Sequence, residues 1–254
     1  MNVQRGRPPA RRPTFRPALE TLEDRWVPAV TVTQSGNVIF VVGSNAAEFV
    51  TVTDNGSDAA GSISISATGL VVPFTSQAVP AGQVITVEVF TSGGNDLVLY
   101  NITNNLGIAT GGRNLLVSLG KGNDTLRFRA TEDVDIAAGK ILTLNANGGA
   151  GEDRVSALYH GQMRGTLSLM ANGGLGVARD RVFIDQTFDG SSNGASSALA
   201  LGGAGDDLLG VVIKRLGADV ALSATGQMFG GGGVDTGIRS SEVLISSIED
   251  DLIV

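Results

Sequence analysis

Gly148-Gly149-Ala150-Gly151-Glu152-Asp153-Arg154-Val155-Ser156 decides the fold, because versions of this stretch return along the chain at a nearly constant interval. Gly202-Gly203-Ala204-Gly205-Asp206-Asp207-Leu208-Leu209-Gly210 is a second copy of it. Taking the last carboxylate of each Gly-rich turn as an anchor marks Asp96, Asp124, Asp153, Asp180, Asp207 and Asp235, at successive intervals of 28, 29, 27, 27 and 28. A fixed period of this size is the mark of a solenoid. Each period holds an apolar run, the turn and a second apolar run, which predicts a coil of about two strands and their corners.

The residues around each anchor alternate with a period of two, as strands do. Two places after the anchors stand Val98, Leu126, Val155, Val182 and Leu209, and four places after them Tyr100, Phe128, Ala157, Ile184 and Val211. One place after come Leu97, Thr125, Arg154, Arg181 and Leu208. Upstream of the anchors the inward row is predicted to continue through Leu115, Val117 and Leu119, Leu142 and Leu144, Leu167 and Leu169, and Leu199 and Leu201. The last anchor interrupts the apolar row with Gly237.

A single coil of this length cannot bury a core, so coils must stack and pair their strands with neighbours above and below. The expected fold is all-β, a parallel β-solenoid of the β-helix or β-roll kind, with about seven coils of 27–29 residues and a length of roughly 30 Å. Residues 1–27 are expected as a basic Pro/Arg-rich tail or export segment ahead of it. Within 28–254, residues 28–90 are expected as degenerate capping coils, 91–240 as the Gly/Asp repeat coils and 241–254 as a C-terminal cap. In the degenerate part, Val38 to Val42, a turn, and Phe49 to Val52 repeat the strand, turn, strand order with Glu48 in the anchor place. The gap from Glu48 to Asp96 is well over one period, which implies a longer first coil that takes in Ser62 to Ile65 and a loop through Pro73 and Pro80.

Stacking turns the anchors into a column of carboxylates about 5 Å apart. Neighbours at that spacing repel by roughly 1 kcal/mol in water and about 3 kcal/mol at an effective dielectric near 20. Six in register call for positive charge between them. Carboxylates and the carbonyls that glycines leave accessible are hard oxygen ligands suited to calcium, while the absence of cysteine and the single histidine disfavour zinc and copper. The competing expectation is an ordinary tight turn, in which Gly supplies positive φ and Asp bonds its own backbone.

The turns resemble the calcium-binding nonapeptide of RTX (repeats-in-toxin) proteins, G-G-x-G-x-D-x-U-x with U apolar. Residues 148–156 and 202–210 match at every specified position, 119–127 departs only at the first glycine, and 230–238 departs only at U. The resemblance implies carboxylate ligands from Asp124, Asp153, Asp207 and Asp235. It also implies carbonyl ligands near Gly120 and Gly122, Gly149 and Gly151, Gly203 and Gly205, and Gly231 and Gly233. Asp96 and Asp180 are weaker candidates, because the first sits in a partial glycine pattern and the second follows two extra residues. RTX rolls chain nonapeptides end to end, whereas here one turn occurs per period, so at most one edge would hold metal.

Composition narrows the partners. Glycine numbers 36 of 254 residues, about twice its usual share. Residues 1–25 hold six arginines and three acidic residues, which leaves a formal charge of −10 on the remainder. Nucleic acid is not expected on such a body. No run is long and apolar enough for a membrane span or an ordinary secretory signal. Leu19-Glu20-Thr21-Leu22-Glu23-Asp24-Arg25-Trp26-Val27-Pro28-Ala29 is nevertheless similar to the Leu-Glu-Pro-Arg type segment of large bacterial surface proteins, with Asp24 in place of proline. That resemblance implies an extracellular or cell-surface location, the alternative being a cytoplasmic protein with a basic tail.

Two other function classes remain. Parallel β-helices also carry polysaccharide-active enzymes, but aromatic residues are sparse, His160 is the only histidine, and adjacent pairs such as Glu152-Asp153, Asp206-Asp207 and Asp250-Asp251 point apart in strands or turns. Catalysis is therefore not expected. A metal-free structural or adhesive repeat is the other alternative, with outward rows containing Arg127, Arg129, Arg154, Arg181 and Phe183 available to a surface or matrix partner.

Overall fold

The computed structural model describes residues 30–131, 133–216, 222–240, 243–246 and 250–253. The tail and its surface-protein-like segment lie outside the described residues. Strands β1 (Thr31–Ser35) and β2 (Val38–Val42) form an antiparallel hairpin, and a corner leads into β3 (Phe49–Asp54). There the chain doubles back, so that β4 (Ile63–Ala67) and β5 (Phe74–Thr75) extend the edge of β3 as an antiparallel meander. Regular winding follows through β6 (Ile85–Phe90), β7 (Leu97–Ile102), β8 (Arg113–Ser118), β9 (Thr125–Ala130), β10 (Ile141–Gly149) and β11 (Arg154–Gly161). It continues through β12 (Thr166–Gly174), β13 (Arg181–Asp189), β14 (Ala195–Ala204), β15 (Leu208–Leu216), β16 (Ser223–Gly232), β17 (Thr236–Arg239), β18 (Val243–Ser246) and β19 (Asp250–Ile253).

The even strands from β6 to β18 stack in parallel on β2, and the odd strands from β7 to β19 stack in parallel on β3, giving two long sheets around one core. No helix occurs among the described residues. The chain is thus a parallel β-solenoid, as its period requires. Five turns, spanning 28, 29, 27, 27 and 28 positions, separate Asp96 from Asp235. The regular winding is therefore about five turns rather than about seven, because both ends depart from the repeat. On the side away from the glycine corners, Leu106, Ile136 and Met163 form isolated bridges in a short third run and are fully buried.

Register places like on like in the core. Leu126, Val155, Val182 and Leu209 form one buried column, and Phe128, Ala157, Ile184 and Val211 another. One upstream expectation is corrected. In β14, Ala198 and Ala200 point inward and Leu199 and Leu201 are half-buried on the outer face. The corner sets this phase, because Ala200 pairs with Ala171, which in turn pairs with Ala146. A one-residue slip would seat the two leucines inside and break the corner above them.

The long first interval, from Glu48 to Asp96, also differs from expectation. Instead of one longer coil, the intervening chain is the antiparallel meander, reversed at turns where Gly56 and Gly61 take φ values of 76° and 75°. Arg113, fully buried in a row otherwise filled by Ile85 and Leu142, ties this insertion to the solenoid. Its Nε lies 2.7 Å from Asp54 Oδ2, and its two terminal nitrogens donate to the carbonyls of Gly112 and Ser57. Asp54 also accepts from the Tyr100 hydroxyl, and Asp58 accepts from the N–H groups of Gly82 and Gly111.

Removing one partner of a buried pair leaves the other charge without compensation, at a cost of about 3–5 kcal/mol. Arg113→Met is therefore expected to lower the urea midpoint by that amount of stability. An unchanged midpoint would show that the insertion is held by something else.

Candidate functional site

The corner geometry explains the glycines before any ligand is considered. Gly122 and Gly151 take φ values of 129° and 141°, a region that L side chains rarely adopt. A Cβ on Gly151 would stand 1.8 Å from the Gly122 carbonyl oxygen one coil away, and one on Gly122 would stand 1.6 Å from the Gly94 oxygen. The corners thus stack backbone directly on backbone. Gly120, Gly149, Gly203, Gly205, Gly231 and Gly233 occupy equivalent places.

The anchors do not line a solvent edge. Asp96, Asp124, Asp153, Asp180, Asp207 and Asp235 are each at most 2% exposed. Along the row each anchor's N–H donates to Oδ1 of the anchor in the following coil, at 2.7 Å from Asp96 to Asp124 and 2.8 Å for the four pairs after it. Glu48 heads the series, its N–H reaching Asp96 Oδ1 at 2.8 Å. The neighbouring position builds a second ladder of opposite polarity. Asn95 Oδ1 accepts from Asn123 N–H, Asn123 Oδ1 from Glu152 N–H, and Asp206 Oδ1 from Val234 N–H.

Asp180 sits in the row on the same terms as its neighbours. The two extra residues before it are accommodated by a bulge that leaves Leu175 and Val177 almost fully exposed. Asp96 likewise belongs to the row despite its sparse glycine pattern. All six anchors are therefore brought together.

The second carboxylate oxygen of the anchors is different in kind. Oδ2 of Asp96, Asp124, Asp153, Asp180 and Asp207 and Oε2 of Glu48 are buried and have no hydrogen-bond partner among the described residues. The first glycine of the turn makes room for this oxygen, since a Cβ on Gly148, Gly173 or Gly202 would stand 2.7, 2.5 or 2.4 Å from Oδ2 of Asp153, Asp180 or Asp207. Burial raises the affinity of these carboxylates for protons, although the bonds from backbone N–H groups oppose it. Asp96 is pushed up to about 6 and Asp124 and Asp180 to about 7, while Asp153 and Asp207 move in the same direction.

The expected carbonyl ligands are partly committed elsewhere. Gly120 O accepts from Ala150 N–H and Gly149 O from Leu175 N–H, both at 2.8 Å. The oxygens of Gly122, Gly203 and Gly205 lie against the α-carbons of Gly151, Gly231 and Gly233 in the next coil. Each of these carbonyls keeps a second lone pair.

A separate cluster joins His160 to Asp133 and Asp189, with its Nδ1 3.6 Å from Asp133 Oδ1 and its Nε2 3.0 Å from Asp189 Oδ2. Each ring nitrogen faces its own carboxylate, and one ligand atom from each of the three residues lies within 4.8 Å of the others. Asp206 and Asp207 point apart, the first exposed and the second buried. Compared with known proteins, the chain matches no family model, no curated protein and no solved structure.

Proposed function

We propose that this chain is a structural repeat protein, exported or held at a cell surface, whose solenoid is stabilised by calcium along the buried anchor row. One observation carries the reading. A file of buried carboxylate oxygens without protein partners, running from Glu48 to Asp207, calls for a proton, a cation or a bound water at each coil it crosses. The available donors are oxygens only, the chemistry that calcium favours. Asp124, Asp153, Asp207 and Asp235, with Asp96 and Asp180, would supply carboxylate oxygens, and the glycine carbonyls their remaining lone pairs. Binding would then be linked to folding, because the ligands come together only when coils stack.

A metal-free structural or adhesive solenoid is the second reading, favoured by the backbone bonds to Oδ1 along the row, which close the ladder without an ion. Protons on Oδ2 would then take the place of calcium. Catalysis has the least support, since the single histidine stands partly exposed between two carboxylates and aromatic residues are sparse in the chain.

Thermal unfolding followed by far-ultraviolet circular dichroism in EDTA, in calcium and in magnesium separates the two readings. Calcium at about 100 times its Kd adds roughly 2.7 kcal/mol per site, or about 8 °C in Tm for a chain of this size. The expected result is a rise specific to calcium that disappears in Asp153→Asn with Asp207→Asn. Identical curves in all three media would overturn the calcium reading and leave the metal-free one.

A further inference from the structure

The outer face of the odd-strand sheet carries a group of cations that the fold does not use. Arg127 and Arg129 on β9, Arg154 on β11 and Arg181 on β13 are all exposed. None of the four forms an ion pair among the described residues, in contrast to Lys214, which meets Asp185 at 3.2 Å. Apart from one another, their partners in register are neutral. Arg127 lies between Leu99 and Ser156, Arg129 between Asn101 and Leu158, and Arg154 between Thr125 and Arg181. Acidic residues border the group: Glu152 and Asp124 line the depression beside Arg154, and Asp185, which pairs with Lys214, lies two residues beyond Phe183 on the same face of β13.

Two arginines directly opposite each other on paired strands repel, and no salt bridge among the described residues offsets this at Arg154 or Arg181. The four positions trace a bent stripe. Arg181 and Arg154 are one strand spacing apart, about 4.8 Å, and Arg127 and Arg129 are two residues apart along a strand, about 7 Å. A shallow depression of about 220 Å³ lies between Arg127, Arg154, Arg181 and Phe183. A second, of about 250 Å³, lies on the other side of Arg154 and is lined also by Asn123, Asp124, Thr125 and Glu152, so its two carboxylates leave the first depression as the one suited to an anion. The exposed Phe183 ring, laid over Gly210, adds an apolar platform beside the cations.

We infer that this face binds a linear anionic polysaccharide, its sulfate or carboxylate groups received by Arg127, Arg129, Arg154 and Arg181 and a sugar ring by Phe183. Guanidinium groups pair with such anions through two parallel hydrogen bonds. The strands beneath are paired on both sides, so an added peptide strand finds no edge there. A body of net charge −10 repels any polyanion away from the stripe, so binding rests on the local match of the four arginines and Phe183 to charged sugar rings, and comparison with an oligothymidylate decides between sugar and nucleotide. This inference does not depend on the calcium reading, since the stripe lies outside the anchor row.

The test is titration of the full chain, in calcium buffer at low ionic strength, with heparin as the probe. Neutral dextran and an oligothymidylate of matched charge serve as comparisons. Heparin is expected to bind and dextran not to. Arg154→Ser with Arg181→Ser should weaken heparin about tenfold or more and reduce the slope of log affinity against log salt by roughly two, for two lost contacts. Arg127→Ser with Arg129→Ser should act alike if the first pair folds poorly, and Arg164→Ser, outside the stripe, should leave affinity unchanged. Equal binding by the wild type and both double variants would overturn the proposal, as would tighter binding of the oligothymidylate. Low-salt dimerisation of the wild type that is lost in the variants would also overturn it, by assigning the face to a second copy.

Discussion

Gly151→Ala abolishes the folded state at 37 °C, or lowers Tm by more than about 10 °C, as the expected result of placing one methyl group in a corner. The new Cβ would stand 1.8 Å from the Gly122 oxygen and 2.6 Å from its carbonyl carbon, at a φ of 141°. Neither atom can move away freely. Gly122 donates its N–H to Ala150 O at 2.8 Å, and Ala150 donates to Gly120 O at the same distance, so a shift that relieves the clash breaks the bonds between coils. Backbone strain of this kind costs about 1–3 kcal/mol before the clash and the lost hydrogen bonds are added. Gly232→Ala is the matched control, because a Cβ there meets nothing within 4 Å. It is expected to change stability by no more than about 0.5 kcal/mol. Comparable melting of the two variants would show that direct corner stacking is not what the glycines are for.

Without calcium, the protein is expected to become more stable as pH falls from 8 to 5, opposite to the usual acid response of proteins. The sign follows from the direction of the anchor shifts. Asp96, Asp124 and Asp180 rise from 3.8 to about 6, 7 and 7, so the folded chain holds protons that the unfolded chain has released. Stability is then fully present below the unfolded value near 4 and is lost as pH climbs through the folded values near 6 to 7. A lone group with the Asp124 value would contribute on the order of 4 kcal/mol, or about 10 °C in Tm. Neighbouring anchors titrate together, so the row gives less than the sum of its members.

Melting in EDTA at pH 5, 6, 7 and 8 checks this, and Asp153→Asn should imitate acidification. The amide oxygen keeps the bond from Asp124 N–H while a neutral group replaces the stranded oxygen. A flat or rising profile in EDTA would mean that water or an ion already satisfies the row. In saturating calcium the profile should flatten, because the ion displaces the same protons.

Much of this architecture was legible in the chain, and one part was legible but misassigned. The period and the alternation after each anchor place the core columns correctly, since Val155 and Ala157 must share a face at a spacing of two. The same rule carried back two residues puts Asp153 on that face as well, so burial of the anchors followed from the pattern that was read as a column along an edge. Leucine identity outweighed phase at Leu199 and Leu201, where the smaller Ala198 and Ala200 were in step with the corner. The meander at β4 and β5 left no such trace, because Ile63-Ser64-Ile65 alternates identically in parallel and antiparallel sheets. Arg113 was invisible for another reason. Only the approach of Asp54 and Asp58, from a distant part of the chain, makes a buried guanidinium tolerable.

The anchor ladder, in which each coil donates to the next, also has a mechanical meaning. Its bonds lie along the solenoid axis, as do those of both sheets, so tension between the two ends passes in series through every coil interface and the weakest one yields first. A spacer built this way yields by shedding single coils from an end, each releasing about 90 Å of chain. It would act less as a rigid rod than as a force limiter, which extends in steps and restacks when the load is removed.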